Sequence, residues 1–333
     1  AAARTPEIEI VKCFTRSQDK RDAFAEKYKC EVVASYDEIL SDDSIQGIII
    51  TTPNPTHLET TRRAAEAGKH VFLDKPIANT IADAREITRI AENCGIILSV
   101  GYQRRRESHF KWIRDRIAEG AFGKMVQAEA NIIRDREGKF DLTSWRYTAQ
   151  GMPGGVMLQI GVHYVDVWCQ ITDAKPVQVN AMGLRLSDEI APEMYNYGQF
   201  QVTFDDGSVG WYEAGWGPMM SETAFFVKDV ISPKGSVSIT EADKSGSSDV
   251  DGHTRVGGLL VHRPEGDQLI DLPDEPGHQD LCDAEQAYML RAIREDLDLS
   301  RHARDAVQSL AICLAADESV RTGTPVKLKE VTP

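Results

Sequence analysis

"KHVFLDKPIANT", Lys69 to Thr80, sets a lysine between an acid and a proline at the end of an apolar run that reads as a buried strand. The run is one of a series. From Glu7 to Gly101, "EIEIVKCF" is followed by "SQDKRDAFAEKY", "QGIIITT" by "THLETTRRAAEAG", "KHVFLD" by "TIADAREITRIAENCG", and then comes "IILSVG". Short β-branched runs alternating with helix-period segments predict an α/β fold with a doubly wound parallel sheet, a Rossmann-type architecture. From Lys124 the texture changes to longer strands of alternating polarity, "KMVQAEANIIR", "YGQFQVTF" and "VGWYEAGW", the last two joined by the turn signal "DDGS" at Asp205 to Ser208. This half predicts a large, open, mainly antiparallel sheet, closed by two helical segments, "GHQDLCDAEQAYMLRAIRE" and "ARDAVQSLAICLAADESV". The expected division is a parallel-sheet domain over residues 1–102 and a mainly antiparallel-sheet domain over residues 103–333. "DKSGSSDVDG", from Asp243, reads as a flexible loop.

Composition narrows the partners. The chain has 333 residues, with 38 basic and 52 acidic side chains and a net charge of −14, the wrong sign for a protein that must neutralise a phosphate backbone. Nucleic acid is therefore not an expected partner, and no apolar run reaches membrane-spanning length. The locally basic "QRRRES", Gln103 to Ser108, reads as a solvated loop or helix start. Six scattered cysteines without a C-x-x-C pair point to a reducing, cytoplasmic setting and offer no metal site.

In an open parallel sheet, ligands bind beyond the carboxyl ends of the strands. None of the 25 glycines falls in the G-x-G-x-x-G pattern that would hold a pyrophosphate, so roughly the first 20 to 30 residues of a βαβ unit are expected to be missing. After the first strand come Thr15, Arg16 and Ser17. Two hydroxyls and a guanidinium suit the 2′-phosphate of NADP better than the ribose hydroxyl of NAD; the other reading is a plain turn capped by Ser17. Thr52, Pro53, Asn54 and His57 follow the next strand and fit a ribose or nicotinamide, or an ordinary proline-stiffened loop. Lys75 closes the third, with Pro76 behind it, so the ammonium is expected to reach into the ligand crevice; a surface lysine is the alternative. "PGGVMLQIGVHYVDVWCQI", Pro153 to Ile171, reads as one helix, apolar except for Gln159, His163 and Asp166. Their i, i+4, i+7 spacing puts them on one face, the wall of a polar cavity. A histidine there can take a hydroxyl proton near neutral pH, with Gln159 orienting the hydroxyl, and a nearby ammonium helps keep it neutral.

"DKP", the "GG…GVHYVD" helix, "TTPNPTH" and the closing "ADESVRTGTPVKL" together resemble the glucose-fructose oxidoreductase and inositol dehydrogenase family, Gfo/Idh/MocA. The resemblance spans essentially the whole chain. It implies NAD(P)-dependent hydride transfer at a carbinol or keto carbon of a sugar, cyclic polyol or related compound, with homodimers or homotetramers formed through the C-terminal sheet. It implies Lys75 and His163 as the catalytic pair, and Gln159 where the family has an aspartate. It also implies Asp74, Trp145, Arg146 and Gln103 near the nicotinamide or substrate. NADP(H) is expected ahead of NAD(H). Dihydrodiol dehydrogenases, NAD-dependent glycosidases and a non-catalytic nucleotide-sensing regulator resemble the same family and stand as alternatives.

Overall fold

The computed structural model describes residues 1–133, 141–188, 190–216, 229–241 and 256–328. The loop expected from Asp243 lies outside them. The alternating series folds as predicted: β1 (Lys12–Cys13), α1 (Gln18–Tyr28), β2 (Glu31–Val32), α2 (Asp37–Leu40), β3 (Gly47–Ile50), α3 (His57–Glu66), β4 (His70–Leu73), α4 (Ile81–Cys94) and β5 (Leu98–Val100). All pairings in this half are parallel, in two separate sheets, β1-β2 and β3-β4-β5. The sequence shows why the second sheet sits deep. Val71 and Leu73 of β4 are fully buried, and α4 is started by Thr80, whose hydroxyl accepts from Asp83 N at 3.0 Å, and stopped by Gly95 at φ 64°.

A short 3-10 turn (Gln103–Arg106) and α5 (Ser108–Ala118) lead into the second half. There, β6 (Gln127–Ile133), α6 (Gly155–Gln159), α7 (Gly161–Ile171), β7 (Pro176–Leu184), β8 (Tyr197–Phe204), β9 (Val209–Gly215), β10 (Asp229–Ser232), β11 (Gly235–Glu241), β12 (Val256–Arg263) and β13 (Gly266–Asp271) precede α8 (His278–Glu295), α9 (Ser300–Thr322) and β14 (Val326–Lys327). Among the described residues the large sheet has nine strands, in the order β13-β12-β11-β10-β6-β9-β8-β7-β14. Its pairs are antiparallel apart from β6 with β9, which run parallel. The predicted turn is present: Phe204 N donates to Ser208 O at 2.9 Å, with Gly207 at φ 82°. One face lies under α6, α7 and α9. Gly161 packs so closely that an added Cβ would stand 3.0 Å from the Tyr212 ring. The other face leaves Met182 58% and Leu184 49% exposed. The helix α9 also returns to the first half, packing on β5 and α4. Among the described residues no helix is long and apolar enough to cross a membrane.

Two expectations are corrected. The helix read from Pro153 to Ile171 is two helices, broken at Ile160, because His163 N bonds to Ile160 O at 3.0 Å instead of reaching back to Gln159. Continuous burial hid the break, since a helix apolar all round carries no periodic signal. Nor is "QRRRES" solvated. Arg104 and Arg105 are buried, each beside its own acid and its own tyrosine: Arg104 with Glu107 and Tyr164, Arg105 with Asp166 and Tyr102.

Candidate active site

Strands β3, β4 and β5 lie in register, Ile50 beside Leu73 and Leu73 beside Val100, so their carboxyl ends open along one edge. Beyond β4, the strap Asp74–Asn79 crosses toward the second half. Its first bond is local, Lys75 N to Asp74 Oδ1 at 2.9 Å. Lys75 Nζ then donates to the Gln159 carbonyl at 2.7 Å. The break at Ile160 makes that bond available: in an unbroken helix the Gln159 carbonyl would take the His163 N–H, and here it is released to the ammonium. Lys75 is thereby brought to the junction of α6 and α7, one turn from His163. Gln159 and His163 are 4% and 5% exposed, and Tyr102, at the end of β5, meets the His163 ring edge-on at 5.8 Å. Gln159 Oε1 is buried and has no hydrogen-bond partner among the described residues. An orphaned acceptor in such a wall suits a ligand hydroxyl.

The other expected site residues divide. Thr52 is exposed at the end of β3, where a ribose would pass. His57 is fully buried and faces protein on both sides: Nδ1 lies 3.1 Å from Pro76 O and 3.2 Å from Ile77 O, Nε2 2.9 Å from Thr52 O. It is therefore a staple between the loop Thr52–His57 and the strap, not a cofactor contact. Burial pulls its pKa below 6.5, and a neutral ring donates to one side at a time. Asn54, 4% exposed, likewise donates to Asn79 and not outward. Pro53 bounds that loop, its carbonyl accepting from Thr56 N at 2.9 Å.

Asp166 is reassigned too. With 0% exposure it is held bidentately by Arg105, Nε to Oδ2 at 2.6 Å, and Asp305 approaches the same guanidinium at 3.1 Å. The break at Ile160 separates Gln159 from His163 and Asp166, and a fully buried ion pair has no face for substrate. Burial, with the Asp166 charge beside it, pushes the Asp305 carboxyl up to about 7 despite Arg105. Trp145 is half-buried and Arg146 exposed, the guanidinium 4.8 Å from the Trp145 ring, in a 3-10 turn that precedes α6. Gln103, half-buried, opens the arginine turn. Thr15, Arg16 and Ser17 stand at the end of β1; Ser17 is the α1 N-cap without a side-chain cap bond, and Thr15 O accepts from Arg21 Nη1 at 3.0 Å. Tyr102 and Asn79 escaped the sequence reading, although Tyr102 stands at a strand end where ligand residues gather.

The residues present fit the ribose and nicotinamide end of a dinucleotide: aligned parallel strand ends, an exposed hydroxyl at Thr52, a lysine, and an orphaned amide oxygen. Among the described residues no cluster of His, Cys, Asp or Glu could hold a metal ion.

Comparison with known proteins bears on the family and the fold. Residues 1–102 match the description "Oxidoreductase family, NAD-binding Rossmann fold", and residues 110–227 match "GFO/IDH/MocA C-terminal domain". A 1,5-anhydro-D-fructose reductase of Ensifer adhaerens is 28% identical over 330 residues, 98% of this chain and 93% of the relative. A scyllo-inositol 2-dehydrogenase (NADP(+)) of Bacillus subtilis is 29% identical over 208 residues, 61% of this chain and 56% of that protein. The crystal structure of an oxidoreductase domain protein from Kribbella flavida superposes with a TM-score of 0.82 at 22% identity, covering 97% of this chain and 91% of the other.

Proposed function

The chain belongs to the Gfo/Idh/MocA family of oxidoreductases with an NAD-binding Rossmann fold, and on that premise we propose that it is a dehydrogenase or reductase moving hydride between NAD(P) and a carbinol or keto carbon of a sugar, cyclic polyol or sugar derivative. The observation that carries this is the Lys75–Gln159 contact, which brings the strap of the parallel-sheet half onto the helix junction that holds His163. When bound, the nicotinamide accepts or returns the hydride. Lys75 holds the substrate oxygen by its ammonium. His163 takes the hydroxyl proton in oxidation and returns it in reduction. Gln159 Oε1 accepts from a neighbouring hydroxyl and fixes the ring.

Thr15, Arg16 and Ser17 hold the 2′-phosphate, which makes NADP(H) the preferred cofactor; Thr52, Asp74, Trp145, Arg146 and Gln103 lie along the ribose, nicotinamide or substrate. We divide the chain at residues 102 and 103, as a cofactor domain and a substrate domain. The open face of the large sheet, with Met182 and Leu184 exposed, pairs with a second copy. All six cysteines are free thiols, in keeping with a reducing cytoplasm.

The test is turnover across a polyol panel, followed by NAD(P)H absorbance. Lys75→Ala and His163→Ala should each lower kcat by roughly 10²- to 10⁴-fold, with the fold kept. If His163→Ala keeps most of its turnover, the proton-transfer assignment is wrong. A wild-type chain that binds cofactor and never reduces it is a nucleotide sensor.

A further inference from the structure

The strap meets the second half through Lys75 and Asn79. Lys75 reaches the Gln159 carbonyl, at the far end of α6. Four residues on, Asn79 reaches the segment ahead of α6: its Nδ2 donates to Gln150 O at 3.3 Å and to Gly151 O at 3.0 Å. Two carbonyls can only accept, so the Asn79 amide must turn its NH₂ toward them and its oxygen the other way. There, Asn54 Nδ2 donates to Asn79 Oδ1 at 3.1 Å. Asn54 is 4% exposed, so little water competes for that bond. Both N–H groups and the oxygen of one side chain are thus used, two across the junction and one within the first half.

The segment it grips is compact before it is gripped. Thr148 Oγ1 donates to Trp145 O at 2.9 Å and accepts from Gly151 N at 3.1 Å. A Cβ on Gly151 would come within 2.0 Å of Trp145 O, so Gly151 is where the turn closes on itself. The closed turn leaves the adjacent carbonyls of Gln150 and Gly151 facing the strap, and the same turn carries Trp145 and Arg146.

We propose that Asn79 is a positioning residue, a latch oriented by Asn54, which with Lys75 pins residues 150–159 to the strap at both ends and, through the closed turn, fixes Trp145 and Arg146 relative to the lysine. Its effect on turnover rests on the reading under Proposed function; the latch itself does not. Aspartate at position 79 keeps the shape, loses both donors and sets an anion against two carbonyl oxygens.

The experiment is amide hydrogen exchange read by mass spectrometry on the full chain, without cofactor, for wild type, Asn79→Asp, Asn54→Ala and the double variant. Peptides within residues 141–159 should exchange roughly tenfold faster in Asn79→Asp, as two lost hydrogen bonds to backbone allow, with the rest of the chain unchanged. Asn54→Ala should move the same peptides less, and the double variant should match Asn79→Asp, because Asn54 acts through Asn79. Unchanged exchange in residues 141–159, acceleration spread evenly over the protein, or additive effects of the two changes would each overturn the latch. On a substrate that wild type turns over, Asn79→Asp should lower kcat while the NADPH dissociation constant holds; a loss of NADPH affinity at constant kcat also refutes it. If wild type turns over none of the polyols, the functional reading fails and the exchange data still decide the latch.

Discussion

Asp166→Asn separates a structural carboxylate from a substrate-binding one. Asp166 is completely buried and binds Arg105 through both oxygens, with Asp305 at 3.1 Å on the same guanidinium. Removing one member of a buried ion pair costs about 3–5 kcal/mol when the other charge is left alone. Asparagine keeps the volume and one acceptor, and Asp305 remains, so the expected loss is that of one charge-assisted hydrogen bond with incomplete repair, about 2–3 kcal/mol. At about 2–4 °C per kcal/mol, the melting temperature should fall by about 5–10 °C. The cost should be larger below pH 7 than above it. In wild type, burial and the Asp166 charge, against the pull of Arg105, put the Asp305 carboxyl at about 7; in the variant the Asp166 charge is gone, so Asp305 ionises at lower pH, pairs with Arg105 and trims the cost as pH rises. Urea denaturation followed by tryptophan fluorescence, run on either side of neutrality, measures both quantities. A change within about 0.5 kcal/mol, the range of an ordinary surface substitution, would refute the buried pair. A variant of normal stability whose KM for substrate rises would restore Asp166 to the substrate site.

Three more outcomes are expected. His109 lies between Glu107 Oε2 at 3.0 Å and Glu275 Oε1 at 2.7 Å; burial lowers its pKa, and the two carboxylates outweigh burial and raise it above 6.5. Its contribution to stability is then full below pH 6.5 and is lost as pH rises through the higher folded value, so wild type should lose denaturation free energy over that window and His109→Gln should not. Asp305→Asn should gain stability over wild type progressively from pH 3.8 to about 7 and level off above, because a raised acid destabilises the fold only where the unfolded chain has already ionised; parallel urea curves across that range check it. Arg16→Ala should weaken NADPH binding roughly tenfold and leave NADH nearly untouched in fluorescence titrations, and equal losses for both would remove Arg16 from the 2′-phosphate.

What the sequence disclosed and what it hid follow from range. The alternation of "QGIIITT" and "KHVFLD" with helix-period segments is a local pattern, and the parallel strands stand where it places them. The turn at Asp205–Ser208 is also local chemistry and was legible. The arginine run was misread because the partners of Arg105 and Arg106 are remote: Asp166 lies 61 residues away, Glu285 179 and Asp305 200. A run of charge looks solvated until tertiary structure supplies the acids. His57 and Asn54 were placed near a ligand because polar residues at strand ends suggest one, and nothing in "DKPIAN" shows that its carbonyls and Asn79 face them. Lys75 and Gln159, 84 residues apart, meet through a helix break that uniform burial concealed.

The hydrogen bond from Val100 N to His302 Nε2, 2.8 Å long and spanning 202 residues, bears on how the chain is made. Val100 belongs to the edge strand β5, and α9 covers that edge. A ribosome adding roughly 5–20 residues per second needs on the order of 10–40 seconds to deliver His302 after Val100. Through that interval the nascent sheet holds an uncapped, apolar border toward solvent, the kind of surface that recruits chaperones or pairs with another nascent chain. Synthesis order and assembly order therefore run in opposite senses: the segment translated early waits for one translated late. A stop codon placed before α9 should then be felt first as aggregation of the parallel-sheet half, far from the lesion in sequence.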